Sequence, residues 1–367
     1  RNKEKANESA RQVLFIITAI SLAVSLICLI FQKPLLGLIF GSVDAEVMRA
    51  SETYFFYTAL SFPFIAAYDS AASIFRSQDN TRGPMLISMI SNVMNIVGNA
   101  VMIWVFHMGV AGAALSTLIS RVFCAVVVLI QLRKDRQEIV VRDYFKIRPN
   151  WSMIRRILGI GIPSGVENSM FQLGKLAIQS TVSTLGTAAI AAQAMTNILE
   201  NLNGIAAIGV GVGLMTIVGQ CLGAGRKDEA VYYIKKLCVI AEIVVLVSCL
   251  VVFVLTKPVT ILGGMEKQSA DMCFHMVMWI TIVKPFVWTM AFIPGYGLRA
   301  AGDVRFSMIT SCCTMWACRF CLCVFLIRGI GFGPMGVWIG MFADWTVRAI
   351  IFTWRFHSRK WLNHKVI

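Results

Sequence analysis

The side chains able to do chemistry stand on long apolar runs. Over 154–183, Ser164, Asn168, Gln172, Lys175, Gln179 and Ser183 are spaced 4, 4, 3, 4 and 4 apart, with Glu167 beside them. On a helix that spacing makes one polar stripe. Over 188–222, Gln193, Asn197, Glu200 and Gly204 follow at 4, 3 and 4, flanked by Thr196 and Asn201. Over 84–106, Ser88, Asn92, Asn95 and Asn99 repeat 4, 3 and 4. Amides donate and accept hydrogen bonds, and carboxylates take up and release a proton or a small cation. Glu167 and Glu200 are therefore the groups here able to hold a proton or a small cation. Asn92, Asn95, Asn99, Asn168, Gln172, Lys175, Gln179, Gln193 and Asn197 should face one another or a wet cavity. A dry seam of interhelical hydrogen bonds is the plainer reading, but a packed seam rarely needs charge, and three stripes occur.

The elements that carry these residues follow from composition. Hydrophobic residues make up 57% of the 367 and charged residues 14%, against about a quarter charged in a soluble domain. A helix needs about 20 apolar residues to cross the hydrocarbon core. Ten runs qualify: 11–31, 49–75, 84–106, 109–132, 154–183, 188–222, 231–256, 270–298, 304–327 and 334–356. The runs 154–183 and 188–222 are antiparallel neighbours across a turn near Gly186. At a rise of 1.5 Å per residue, Lys175 lies about 12 Å from that turn, Glu200 about 18 Å and Glu167 about 24 Å. A Lys175–Glu200 pair is expected, with Glu167 a turn deeper.

Charge at bilayer depth costs a few kcal/mol per residue, so each instance needs an account. Asp69, Glu167, Glu200, Glu242 and Asp344 stand against Arg121, Lys175, Lys284, Arg319 and Arg348. Asp344 and Arg348 are four apart on one helix and are expected to pair as a structural unit. The net charge of +15 is not that of a nucleic-acid binder, because its placement follows the bilayer. The segments 1–12, 76–83, 133–156, 225–236, 299–305 and the tail hold 24 of the 34 Lys and Arg. That bias places them, and both ends of the chain, in the cytoplasm. Anionic lipid headgroups are the partners such a surface attracts.

The chain also repeats itself. Arg1-Asn2-Lys3-Glu4-Lys5-Ala6 is a faded copy of Gly225-Arg226-Lys227-Asp228-Glu229-Ala230, 224 residues on. Lys33-Pro34 returns as Lys257-Pro258, and Gly109 and Gly112 return as Gly333 and Gly336, at the same offset. Two helices precede this loop in the second copy, so the first copy is expected to have lost two. The expected fold is all-α and integral to the membrane: ten helices of a twelve-helix, two-lobe protein built from six-plus-six parallel repeats. Residues 1–133 would form the N-terminal lobe, 134–153 a cytoplasmic linker and 154–367 the C-terminal lobe. Gly223-Ala224-Gly225-Arg226-Lys227 invites a phosphate-loop reading, but no strand precedes it and Asp follows the lysine. It is expected to be a helix junction.

Several motifs now bear on a family. Gly219-Gln220-Cys221-Leu222-Gly223-Ala224-Gly225 lies at the junction, and Gly161-Ile162-Pro163-Ser164-Gly165 opens the second lobe. Asn95-Ile96-Val97-Gly98-Asn99 lies on the run 84–106, and Arg299-Ala300-Ala301-Gly302-Asp303 stands where the first copy has the loop from Arg76 to Met85. In these motifs the chain resembles the multidrug and toxic compound extrusion (MATE) transporters along essentially its whole length. The resemblance implies alternating access in a plasma-membrane protein, here expected to be a monomer. It implies export of drug-like, often cationic compounds against proton or sodium entry, with no cofactor beyond that coupling ion, and makes Glu167 and Glu200 the ion-coupling candidates and the polar stripe residues the candidates for lining the substrate cavity. Asn99 stands where many members carry Asp and cannot titrate. Phe171 stands where some carry Glu.

The competing reading is a flippase for lipid-linked saccharides or cell-wall precursors, which needs a basic cavity for a diphosphate. The intramembrane charges, five against five, argue against it, although Arg121, Lys284 and Arg319 favour it. A membrane enzyme would need a catalytic set within the bilayer. His107, His275, His357 and His364 lie at ends or near the surface, and neither catalysis nor a metal is expected. Cys318 and Cys321 have Cys-x-x-Cys spacing without a second pair and are read as packing thiols.

Overall fold

Apolar runs become long helices because lipid offers no partner to a free backbone N–H or C=O, each of which costs several kcal/mol when unpaired. The computed structural model describes residues 3–40, 45–134, 139–141 and 148–363. Half of the expected 134–153 linker (135–138 and 142–147), and Arg1 and Asn2 of the opening repeat, lie outside the described residues. Among the described residues the chain is all-helical. The helices are α1 (Lys3–Ile30), α2 (Gln32–Phe40), α3 (Ala45–Leu60), α4 (Phe62–Ser77), α5 (Arg82–Ala100), α6 (Gly109–Leu132) and α7 (Trp151–Val182). They continue with α8 (Thr187–Gly223), α9 (Lys227–Leu262), α10 (Lys267–Ala300), α11 (Val304–Thr314), α12 (Leu322–Val324) and α13 (Met335–His357). Eight spans among the described residues are long and apolar enough to cross a membrane. The chain divides into two units, Arg1–Ile157 and Leu158–Ile367.

The run expected over 49–75 is two helices, not one. Pro63 stands at the second position of α4 and has no N–H to give the Ala59 carbonyl. Ser25 on α1 takes up that carbonyl, its Oγ donating to Ala59 O at 2.7 Å. The carbonyl that Pro63 leaves without its helical donor is thus paired. In the second unit the corresponding Pro285 lies inside the unbroken α10.

The repeat is visible element by element. α1 with α2 corresponds to α9, and α3 with α4 to α10. α5 ends in a π-helical turn, Val101–Val105. A second π-helical turn, Phe325–Ile330, begins 224 residues later. Gly109 and Gly333, the same distance apart, both take positive φ, +54° and +62°. A left-handed residue at the start of the last helix or just ahead of it is a backbone demand that glycine meets at least cost.

The second unit packs on Trp288, Trp338, Trp345 and Phe352, all buried. The first packs on Phe75, Val128 and Leu132. The Gly-Arg-Lys stretch is a junction: α8 ends at Gly223, and α9 opens with Asp228 and Glu229 in its first turn. Negative charge there complements the helix dipole.

Candidate functional site

α7 and α8 turn their polar stripes toward one cavity of about 440 Å3 in the second unit. Gln172, Lys175 and Gln179 come from α7, and Gln193, Asn197, Glu200 and Asn201 from α8. Leu176, Ile178, Val337 and Met341 supply the apolar part of the wall, and Arg319 a third charge. The i, i+4 spacing accounts for each stripe, and Gly186 at φ +93° turns α7 back into α8. Gln193 is held in place: its Oε1 accepts from Trp338 Nε1 at 3.0 Å, and its Nε2 donates to Asn197 Oδ1 at 3.4 Å. Asn168, expected on this wall, is elsewhere. It is exposed, with Nδ2 donating to Ser164 O at 2.9 Å.

The expected Lys175–Glu200 pair does not form. Glu200 pairs with Lys284 of α10 at 2.8 Å. Lys284 is 0% exposed and the Glu200 side chain 16%. The ammonium group lies 5.0 Å from the centre of the Trp288 ring and 6.0 Å from that of Trp345. Lys175 instead lies over Phe171, at 5.1 Å. Distance along a helix measures depth and says nothing of azimuth, so a third helix supplied the nearer cation.

Glu167 also sits away from the cavity wall. It is buried and accepts from Arg299 Nη2 at 2.5 Å. Arg299 was expected in a cytoplasmic loop, but α10 runs through it to Ala300. Asp344 and Arg348 pair at 3.0 Å, with Arg348 also donating to Ser311 Oγ and Thr314 Oγ1 at 3.2 Å each.

The stripe of the first unit forms a seam. Asn99 donates to Asn95 Oδ1 at 3.3 Å, and Asn95 donates to Thr117 Oγ1 of α6 at 3.2 Å. Asn92 is exposed. Arg121 is a tether, its Nη1 donating to Ser61 Oγ at 2.6 Å.

Lys284, Arg299 and Arg319 are the site residues that sequence reasoning did not assign. Their signal was present, since Lys284 and Arg319 are cations at bilayer depth. Their partners were not legible.

The profile of the family described as MatE matches residues 1–101 and 163–325. The chain belongs to the MatE family. Among MatE relatives, NorM of Thermotoga maritima, described as a probable multidrug resistance protein, is 25% identical over 336 residues. That match covers 90% of this chain and 71% of NorM. The uncharacterized transporter YisQ of Bacillus subtilis is 26% identical over 370 residues, covering 99% of this chain and 80% of YisQ. Solved structures share the MatE fold. An outward-facing MATE transporter of the MOP superfamily superposes with a TM-score of 0.87 at 18% identity, over 98% of this chain and 81% of that one. A MOP superfamily transporter from Pyrococcus furiosus, described by a binding pocket of reverse polarity, also reaches 0.87 at 18% identity, over 100% and 81%.

Proposed function

We propose that this chain is a secondary active exporter of small organic compounds, driven by proton or sodium entry. One observation carries the reading: a carboxylate on the wall of a membrane cavity, Glu200, is held by a fully buried cation, Lys284. Family membership and relatives described as multidrug resistance proteins support it. A proton or sodium ion arriving at Glu200 competes with Lys284 for the carboxylate. Breaking the pair leaves Lys284 buried without a counter-charge, at a cost of roughly 3–5 kcal/mol. Movement of α10 against α8 relieves that cost, so ion occupancy and shape are coupled. Glu167 and Arg299, between α7 and the cytoplasmic end of α10, form a second such pair.

The protein acts as a monomer in the plasma membrane, with both ends cytoplasmic, as the distribution of Lys and Arg favours. The charge of the cavity bears on which compounds are moved, and it does not favour the cations that the resemblance implies.

The test is efflux from proteoliposomes under an imposed pH or sodium gradient, with a panel of anionic, zwitterionic and cationic dyes. Glu200→Gln and Glu167→Gln are expected to abolish the gradient dependence. Gradient-driven efflux surviving in both variants would remove the coupling role assigned to these carboxylates. Translocation of lipid without a gradient would favour a flippase instead.

A further inference from the structure

The charges around the second-unit cavity do not cancel. Glu200 is engaged by Lys284 at 2.8 Å. Asp344 is engaged by Arg348, whose Nη2 donates to both carboxylate oxygens at 3.0 and 3.4 Å. Each acid thus has its own buried base. Two cations on the wall are left over, Lys175 and Arg319. Among the described residues neither forms an ion pair. Arg319 is 7% exposed, and its Nε is buried with no hydrogen-bond partner. It lies over the Phe171 ring at 5.2 Å, the same ring that Lys175 approaches at 5.1 Å. Two cations gathered at one ring, beside a cavity and inside a membrane, are expensive without an anion.

The backbone keeps Arg319 there. It lies in a π-helical turn, Met315–Cys321, a widened turn of the kind frequent at functional sites. Gly340 of α13 lets this turn approach closely, because a Cβ at that position would come within 2.8 Å of the Arg319 carbonyl oxygen.

We propose that this cavity binds an organic anion, with its carboxylate or phosphate held by Arg319 and Lys175. This deepens the export reading, and rests on it for the claim that the bound anion is cargo. The guanidinium fork matches the geometry of either oxyanion. The amides of Gln172, Gln179 and Asn197 offer further donors, and Leu176, Val337 and Met341 receive an apolar body. A volume of about 440 Å3 suits one small organic molecule. A cation entering here would meet two like charges, a juxtaposition that excludes wrong partners.

The experiment uses the protein in phosphatidylcholine nanodiscs, with carboxyfluorescein as the anionic probe and ethidium as the cationic one, read by fluorescence anisotropy. Carboxyfluorescein is expected to bind more tightly than ethidium. Arg319→Gln and Lys175→Gln should each weaken it roughly tenfold or more, the loss of one charged hydrogen bond. Lys175 is exposed on the cavity wall, so Lys175→Glu should fold, lose carboxyfluorescein and gain ethidium even if Arg319→Gln proves unstable. Tighter binding of ethidium by the wild type, or unchanged carboxyfluorescein binding in Lys175→Glu, overturns the proposal. Adding phosphatidic acid to the nanodiscs separates the sources of the oxyanion. Displacement of the dye that depends on Arg319 would make the ligand a lipid headgroup at the proposed site, and no displacement would make it a soluble anion. If ethidium is expelled under a gradient while carboxyfluorescein does not bind, export stands and the anion site falls. If carboxyfluorescein binds with the stated dependence but no gradient moves it, the site stands and export falls.

Discussion

Lys284 is fully buried, and its charge is tolerable only because Glu200 accepts from it and two indole rings face it. Lys284→Met removes one half of a buried pair and should destabilise the protein by about 3 kcal/mol, seen as a lower melting temperature in detergent. The double variant Lys284→Met with Glu200→Leu should recover much of that loss, because both charges leave together. A double variant no more stable than Lys284→Met would show that the pair does not act as a unit. Gln193 makes a smaller case. Gln193→Leu strands the indole N–H of Trp338, which is 0% exposed, and should cost about 1–3 kcal/mol in the same melting measurement.

Among the elements, the last helix of each copy has a left-handed glycine at or just before its start and packs on a helix ended by a π-helical turn. The first copy carries one π-helical turn, Val101–Val105, while the second carries Met315–Cys321 as well. At the 224 offset, Arg319 stands where the first copy has Asn95, which sits in ordinary α5. The extra π turn therefore coincides with the change from a neutral amide to a buried cation. Gly340→Val should be worse than a simple loss of stability. The added side chain meets the Arg319 carbonyl, so it should also weaken carboxyfluorescein binding in a protein that still elutes as a single species. Full retention of both binding and melting temperature would show that the close approach is not needed.

At the scale of the whole molecule, orientation is set by where Lys and Arg fall, since moving charged loops across a bilayer is disfavoured. Green fluorescent protein fused after Ile367 should fluoresce in cells, and alkaline phosphatase fused there should be inactive. The reverse outcome would invert the assignment of sides. Membership of the MatE family fixes the all-helical membrane fold.

Membrane class, most helix positions, the internal repeat and the family were legible in the chain itself, because they depend on local quantities. Apolar length decides whether a segment can cross a bilayer, spacing near 3.6 decides which residues share a helix face, and glycine marks backbone that a side chain would strain. The stripes on α7 and α8 were readable for that reason, and most of their residues line the cavity. Only the tertiary structure decided which charges meet. Lys175 and Lys284 are both cations at bilayer depth in the sequence, and nothing local says that the second, 84 residues from Glu200, is its partner. The same holds for Arg299 with Glu167, 132 residues apart. A five-against-five tally of intramembrane charge looked neutral along the chain. Packing paired Glu200 with Lys284 and Asp344 with Arg348 and left Lys175 and Arg319 beside a cavity with no ion pair among the described residues, because pairing is a property of azimuth and helix contact, which a one-dimensional spacing does not carry.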